Sequence, residues 1–288
     1  MADSSEQRAR EDLDRAFTMR FGETVALPDD IDDIGGEGLS RLAAMAARRS
    51  HRNWADRPVS DELIGLLVRI ALCAPSKSDL QQADIIRIRE PGQRRRIADL
   101  VPSMPWVATA PAFLVICGNN RRIRQICEER RHPFANDHLD AFFNAAVDGG
   151  IHLAWLLMAA EMAGLGGCAV SVIRNAAAEV SAILQLPDHV FPVAGLALGW
   201  PAEAGTIVPR LSPDVTFHHD RYEEAGMDAI SAYDQRRREV APYGSQRRTD
   251  RFGECDDYGW MEEKARHYAL PERADFGAFI RSRGFRLD

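Results

Sequence analysis

Residues 140–170 read DAFFNAAVDGGIHLAWLLMAAEMAGLGGCAV, and the fold turns on how this run is taken. From Asp140 to Ala163 there is no proline, and Val147, Ile151, Ala154, Trp155, Met158, Ala159 and Met162 line one helical stripe and its flanks. The remaining positions are also largely apolar, so the expectation is a helix buried nearly all round. Gly149-Gly150 removes two side chains mid-helix, at a cost of about 1 kcal/mol each relative to alanine. Such a cost is tolerable where another helix or a cofactor comes close. Gly164-Leu165-Gly166-Gly167 then reads as C-cap and turn. His152 and Glu161 interrupt the apolar run, which suits a core helix better than a bilayer span.

Outward from this helix lie four strand candidates. Asp84–Ile88 is short and β-branched, while Ala112–Cys117 is apolar throughout, as an interior strand covered on both faces would be. Ala169–Val172 and Pro192–Gly199 complete the set. Before them, Leu63, Leu66, Leu67 and Ile70 keep helical spacing behind Ser60, a plausible N-cap, and Pro75 ends that helix.

The periphery differs in character. Ser5–Arg20 suits a short charged helix, and Asp29–Gly38 reads as an acidic linker whose carboxylates and glycines disfavour packing. The expected division is an arm at 1–40, a body at 41–222 and a charged, mostly helical extension at 223–288 that packs on the body or on a partner subunit.

Composition narrows the function classes. Over 288 residues, 36 Lys and Arg against 43 Asp and Glu give a net charge of −7, which lacks the electrostatic footprint of a nucleic-acid binder. No basic segment followed by an apolar core opens the sequence, so no secretory signal is read. Five widely spaced cysteines without a C-x-x-C argue against a disulfide framework and a structural zinc site. These features together place the protein in the cytoplasm, with neither nucleic acid nor membrane as partner.

Three stretches carry chemistry. Arg48-Arg49-Ser50-His51-Arg52, with Trp54 close behind, is either an anion cradle of guanidinium forks and a hydroxyl or a solvated basic helix end. Ala74–Gln81 is a loop rich in hydrogen-bond donors, without the glycines of a phosphate-binding P-loop. Gly199-Trp200-Pro201, followed by Pro209-Arg210-Leu211, returns one more cation, which taken alone reads as a surface arginine. The neighbours His218 and His219 would point to opposite faces of an extended segment, so no metal is expected there. No G-x-S-x-G elbow and no G-x-G-x-x-G turn is present.

Taken in order, RRSHRNW (48–54), APSKSDLQ (74–81), AGLGG (163–167), LQLP (184–187), GLALGWP (195–201) and PRLS (209–212) resemble the FMN-dependent nitroreductase family. GSQRRTD (244–250) and PERADF (271–276) are similar to its type A subgroup of oxygen-insensitive nitroreductases and NADPH-flavin reductases. The resemblance implies an α+β fold with a mainly antiparallel sheet flanked by helices. It also implies a strand-exchanged homodimer, with the segment containing Val215 and Phe217 as the exchanged strand and the 140–163 helix at the dimer core. The implied activity is NAD(P)H-dependent reduction of a small aromatic acceptor, a nitro compound, quinone or free flavin, by ping-pong hydride transfer through the flavin N5.

Roles follow from the same resemblance. Arg48, Arg49, Ser50 and Arg210 match positions that hold the FMN phosphate, and Arg52 matches a cation at the flavin pyrimidine edge. Ser76, Ser78 and Leu80 match the loop lining the ring; Ser171 and Val172 match the segment near O4 and N5. Arg174 and Arg273 match basic positions at the pocket entrance. The chain departs from the family pattern at Val208, where a lysine is usual, at Ser171-Val172, where a glycine pair is common, and at Asp79, where an asparagine is usual. Tyr243 stands near where the subgroup places an arginine linked to NADPH preference. A reductive dehalogenase or other aromatic-transforming flavoenzyme, and a non-catalytic flavin-binding module, remain as alternatives.

Overall fold

The computed structural model describes residues 4–288. The chain opens with helices α1 (Ser4–Phe21), α2 (Gly35–Ala46) and α3 (Asp61–Ala71), followed by strand β1 (Ala83–Arg87). Next come α4 (Pro91–Asp99), α5 (Trp106–Thr109), β2 (Ala112–Asn119), α6 (Arg121–Glu129) and α7 (Leu139–Met162). Strand β3 (Gly166–Val170), α8 (Ala177–Ile183) and β4 (Val190–Gly199) complete the central part. Helices α9 (Pro213–Thr216), α10 (Met227–Val240), α11 (Thr249–Phe252), α12 (Trp260–Tyr268) and α13 (Phe276–Ser282) follow.

These elements group into two units, one of residues 1–49 and 205–272 and the other of 50–204 and 273–288. This grouping cuts across the three-part division expected from composition. The last 16 residues belong with the sheet because Ile280 and Phe285 are buried beside Ala145 and Phe191.

The sheet-bearing unit has strand order β1-β2-β4-β3, and all three ladders are antiparallel. Strand β2 is buried at every position. Phe113, Val115 and Cys117 point into one core with Ile97, Val107, Ile173 and Val180. Leu114 and Ile116 point into a second core with Leu67, Leu156, Ala160 and Leu196. Period-two alternation thus serves two apolar layers at once. Ser60 caps α3 by accepting from the Leu63 N–H at 3.1 Å. The five cysteines are free, and burial pushes the Cys117 thiol up to about 12, with the charge of Asp84 adding to the shift.

The other unit begins with α1 packed on α2. Ala9, Leu13, Ile31, Leu39 and Ala43 form its apolar cluster. The acidic stretch is therefore a packed element and not a loose linker: a 3-10 turn carries Ile31 inward and α2 starts within the glycines. Helices α10 and α12 are joined by polar contacts. Asp234 accepts from the Met261 N–H at 2.8 Å, Glu263 accepts from Arg247 at 3.0 Å and from the Tyr258 hydroxyl, and Arg266 donates to the carbonyls of Arg247 and Gly253. Tyr233 meets Trp260 edge-on at 5.2 Å.

One expectation is corrected: the third strand is shifted to Gly166–Val170, where Gly167 lies flush against Leu157 and Leu198 and a Cβ would come within 2.5 Å of Leu157 Cδ1. Within the protomer, helix α7 buries one face through Ala145, Asp148, His152, Leu156 and Ala160. Its other face leaves Phe143 58%, Val147 40%, Trp155 42% and Met162 45% exposed. Val215 lies in the helical turn α9 and Phe217 is 66% exposed, so among the described residues this segment pairs with no strand of its own protomer.

Candidate functional site

The loop between α3 and β1 is the most constrained segment of the sheet-bearing unit. Ser78, Asp79 and Gln81 all have φ between 51° and 55°, a left-handed conformation that non-glycine residues adopt only when their surroundings impose it. The constraint is Asp148 of α7, which is fully buried. Its Oδ2 accepts from the Ser76 hydroxyl at 2.6 Å and from the Gln82 N–H at 3.0 Å. Its Oδ1 accepts from the Lys77 N–H at 3.1 Å, and the Ser76 oxygen in turn accepts from the Gln81 N–H at 2.6 Å. A buried carboxylate is tolerated because each oxygen is met by donors. Gly149 sets the depth of α7, since a Cβ there would sit 2.8 Å from Val193 Cγ2 on β4.

This arrangement separates the loop residues. Ser76, expected at the cofactor ring, spends its hydroxyl inward on Asp148 and Gln81. Ser78 and Asp79 are exposed and Leu80 is half-buried. Asp79 accepts from the Gln81 amide at 3.2 Å.

Ser50 pairs with Gly167 as an isolated bridge, and His51 N–H donates to the Gly167 carbonyl at 3.1 Å. Trp54 Nε1 donates to the Gly166 carbonyl at 3.0 Å. The basic motif is thus laid along the start of β3, and Arg52 places its guanidinium 5.3 Å from the centre of the Trp106 ring. Such stacking fixes a cation without neutralising it. Ser171 and Val172 open the 3-10 turn Ser171–Ala176, which follows β3 directly. Arg174 of that turn donates to the Val193 carbonyl. Burial, and then the charge of Arg273, hold the Arg174 guanidinium below its ordinary value, so these two cations act on one another.

In the other unit, Arg48 and Arg210 are brought together at a cavity of about 200 Å³ whose lining also includes Phe17, Phe21 and Arg20. Arg49 turns elsewhere, to a larger cleft of about 950 Å³ formed with α1 and residues 205–207. Tyr243 stands apart from both, with Arg237 4.7 Å and Lys264 5.7 Å from its ring centre. Burial raises its phenol above the ordinary value, and the Arg237 charge opposes the rise.

Sequence reasoning missed Asp148 and Arg20. Each is a charged residue inside an apolar helical pattern or a charged arm, and each acts on chain segments far away in sequence. The signal open to inspection was Asp148 beside the glycine pair; Arg20 offered none.

Known proteins are similar to this chain over most of its length. The nitroreductase family model matches residues 45–200, and the model of the family's C-terminal domain matches residues 209–288. The NADPH-flavin oxidoreductase of Vibrio harveyi is 33% identical over 199 residues, covering 67% of this chain and 79% of the relative. The oxygen-insensitive NADPH nitroreductase of Salmonella typhimurium is 33% identical over 217 residues, covering 74% and 88%. Among solved structures, B. megaterium NfrA2 aligns with a TM-score of 0.77 at 29% identity, covering 86% of this chain and 98% of the other.

Proposed function

Because the chain belongs to the nitroreductase family, we propose that it is an FMN-dependent NAD(P)H oxidoreductase that reduces nitroaromatic, quinone or flavin acceptors. The observation that carries this reading is the small cavity that Arg48 and Arg210 line together with Arg20. Guanidinium forks facing one space match the oxygens of a phosphate dianion. The donor set therefore fits the phosphate end of FMN.

FMN, when bound, supplies two-electron hydride chemistry, and the protein supplies binding, orientation and electrostatics. In this reading Arg48 and Arg210 hold the phosphate; Arg49, which lines the larger cleft, and Ser50, bridged to Gly167, are assigned there by the motif alone. Arg52, steadied on Trp106, provides positive charge for the pyrimidine edge. Ser78 and Leu80 line the ring from a loop whose shape Asp148 imposes, while Ser76 contributes through that clamp. Ser171 and Val172 offer backbone from the turn after β3. Asp79, Arg174, Tyr243 and Arg273 are assigned to the donor and acceptor, and the neighbouring cations Arg174 and Arg273 suit an anionic nicotinamide dinucleotide. Donor and acceptor use one place in turn, so no side-chain nucleophile is required.

The protein works as a homodimer in the cytoplasm. The bare stripe of α7, with Phe143, Val147, Trp155 and Met162, is the kind of contiguous apolar face that marks a protein interface, and a second copy covers it. Solution mass by light scattering checks the dimer.

The activity is tested by anaerobic stopped-flow reduction of the FMN-loaded protein with NADH and with NADPH, followed by a panel of acceptors. Rapid bleaching of the flavin by one nicotinamide and reoxidation by nitroaromatics or quinones is expected. Failure to take up FMN, or a flavin that neither nicotinamide reduces, overturns the reading.

A further inference from the structure

Helix α1 lies ahead of both matched family segments, which begin at residue 45. Its last turn carries Arg20, only 6% exposed. The Arg20 guanidinium gathers carbonyls from two separate stretches of chain. Nε donates to the Ala46 carbonyl at 3.0 Å, Nη2 to the Arg48 carbonyl, and Nη1 to the Val208 carbonyl at 2.6 Å. The backbone closes the same circuit: the Arg210 N–H donates to the Arg20 carbonyl at 2.7 Å, and Arg236 Nη2 donates to the Arg210 carbonyl at 2.8 Å. One side chain thus pins the end of the segment bearing Arg48 to the segment bearing Arg210, and lines the cavity where those two meet.

A buried guanidinium is stable only when its donors are met, and the Ala46, Arg48 and Val208 carbonyls meet those of Arg20. With Arg20 held in this way, the segments bearing Arg48 and Arg210 are fixed to one another at the cavity that both line. Resting on the FMN reading above, we propose that the added helix α1 is part of the cofactor site, with Arg20 as the positioning residue that draws Arg48 and Arg210 together around the FMN phosphate.

The test uses the full-length apoprotein in wild-type, Arg20→Met and Arg20→Lys forms. FMN and riboflavin are titrated separately by fluorescence quenching, and amide hydrogen exchange is followed over residues 46–49 and 207–210. Arg20→Met should weaken FMN binding by roughly 10- to 100-fold, the scale of losing a charge-assisted hydrogen-bond cluster. Riboflavin, which has no phosphate, should bind as before. Exchange should quicken over the two segments. Arg20→Lys keeps the charge but loses the fork, so it should show the same pattern more weakly, and it stands in should Arg20→Met fail to fold. Unchanged FMN affinity, or equal losses for FMN and riboflavin, overturns the proposal, since a general structural defect would weaken both. If wild-type protein binds neither flavin, the functional reading fails, and hydrogen exchange alone decides the positioning role: unaltered exchange in both variants overturns it.

Discussion

In one unit a buried cation, Arg20, gathers carbonyl oxygens; in the other a buried anion, Asp148, gathers N–H and O–H donors. Both connect chain segments far apart in sequence, and both fix residues proposed to touch the cofactor. The sign of the buried charge decides which groups it gathers. The clamp that gathers carbonyls leaves the Arg48 and Arg210 side chains for a ligand, which suits a phosphate. The clamp that gathers donors fixes the backbone of a loop proposed to line a ring.

Asp148→Ala should be the most damaging substitution, because it strands three donors at once, the Gln82 N–H of them buried. A loss of about 3–5 kcal/mol is expected in denaturant melts, at about 1–3 kcal/mol for each donor left unmet, with hydrogen exchange accelerated over residues 76–82. Equal stability of this variant and wild type would show that the left-handed residues hold themselves. Arg20→Met should cost less, about 1.5–3 kcal/mol for hydrogen bonds to a charged group. If it instead cost more than Asp148→Ala, the cationic clamp would be the stronger of the two. Ser76→Ala removes one donor and one acceptor but leaves the carboxylate with two N–H partners, so about 1 kcal/mol is expected by thermal melting. A larger loss would shift the weight of the clamp from Asp148 to Ser76.

The smallest effect is a difference in acid sensitivity. Burial pushes the Glu263 carboxyl up, but hydrogen bonds from Tyr258 and Arg247, with the Arg247 and Lys264 charges, more than offset it, and its pKa lies below the ordinary value. A depressed carboxyl contributes stability that is present above its unfolded pKa and lost as pH falls through the folded one. Glu263→Gln should therefore flatten the acid limb of the stability curve and leave the Asp148 loop unaffected. Stability measured between neutral pH and the acid range, with and without the substitution, checks this.

Local signals were the readable ones. Ser60 and the alternation in β2 were visible because cap and pattern sit within a few residues of what they control. The glycines at 166 and 167 misled, because what excludes a side chain there is Leu157, Leu198 and His51, none adjacent in sequence. The stretch at 29–38 looked unfit to pack until α1 supplied Ala9 and Leu13 as partners for Ile31 and Leu39. The direction of the Ser76 hydroxyl has no local signal, since its partner lies 72 residues away in α7. The family motifs carried Arg48 and Arg210; no motif carried Arg20, which precedes the matched segments.

The bare stripe on α7 also bears on how the chain reaches its working state. In the proposed dimer, a protomer that hides Asp148 on one side of a helix and shows Trp155 on the other is finished only by encounter, so its fate depends on how many copies are nearby. In the paired state its midpoint of unfolding should rise with protein concentration. At great dilution, the same rings that join copies become a sticky surface open to any other unfolded chain. The helix that anchors the loop from within thus also makes abundance part of the protein's stability.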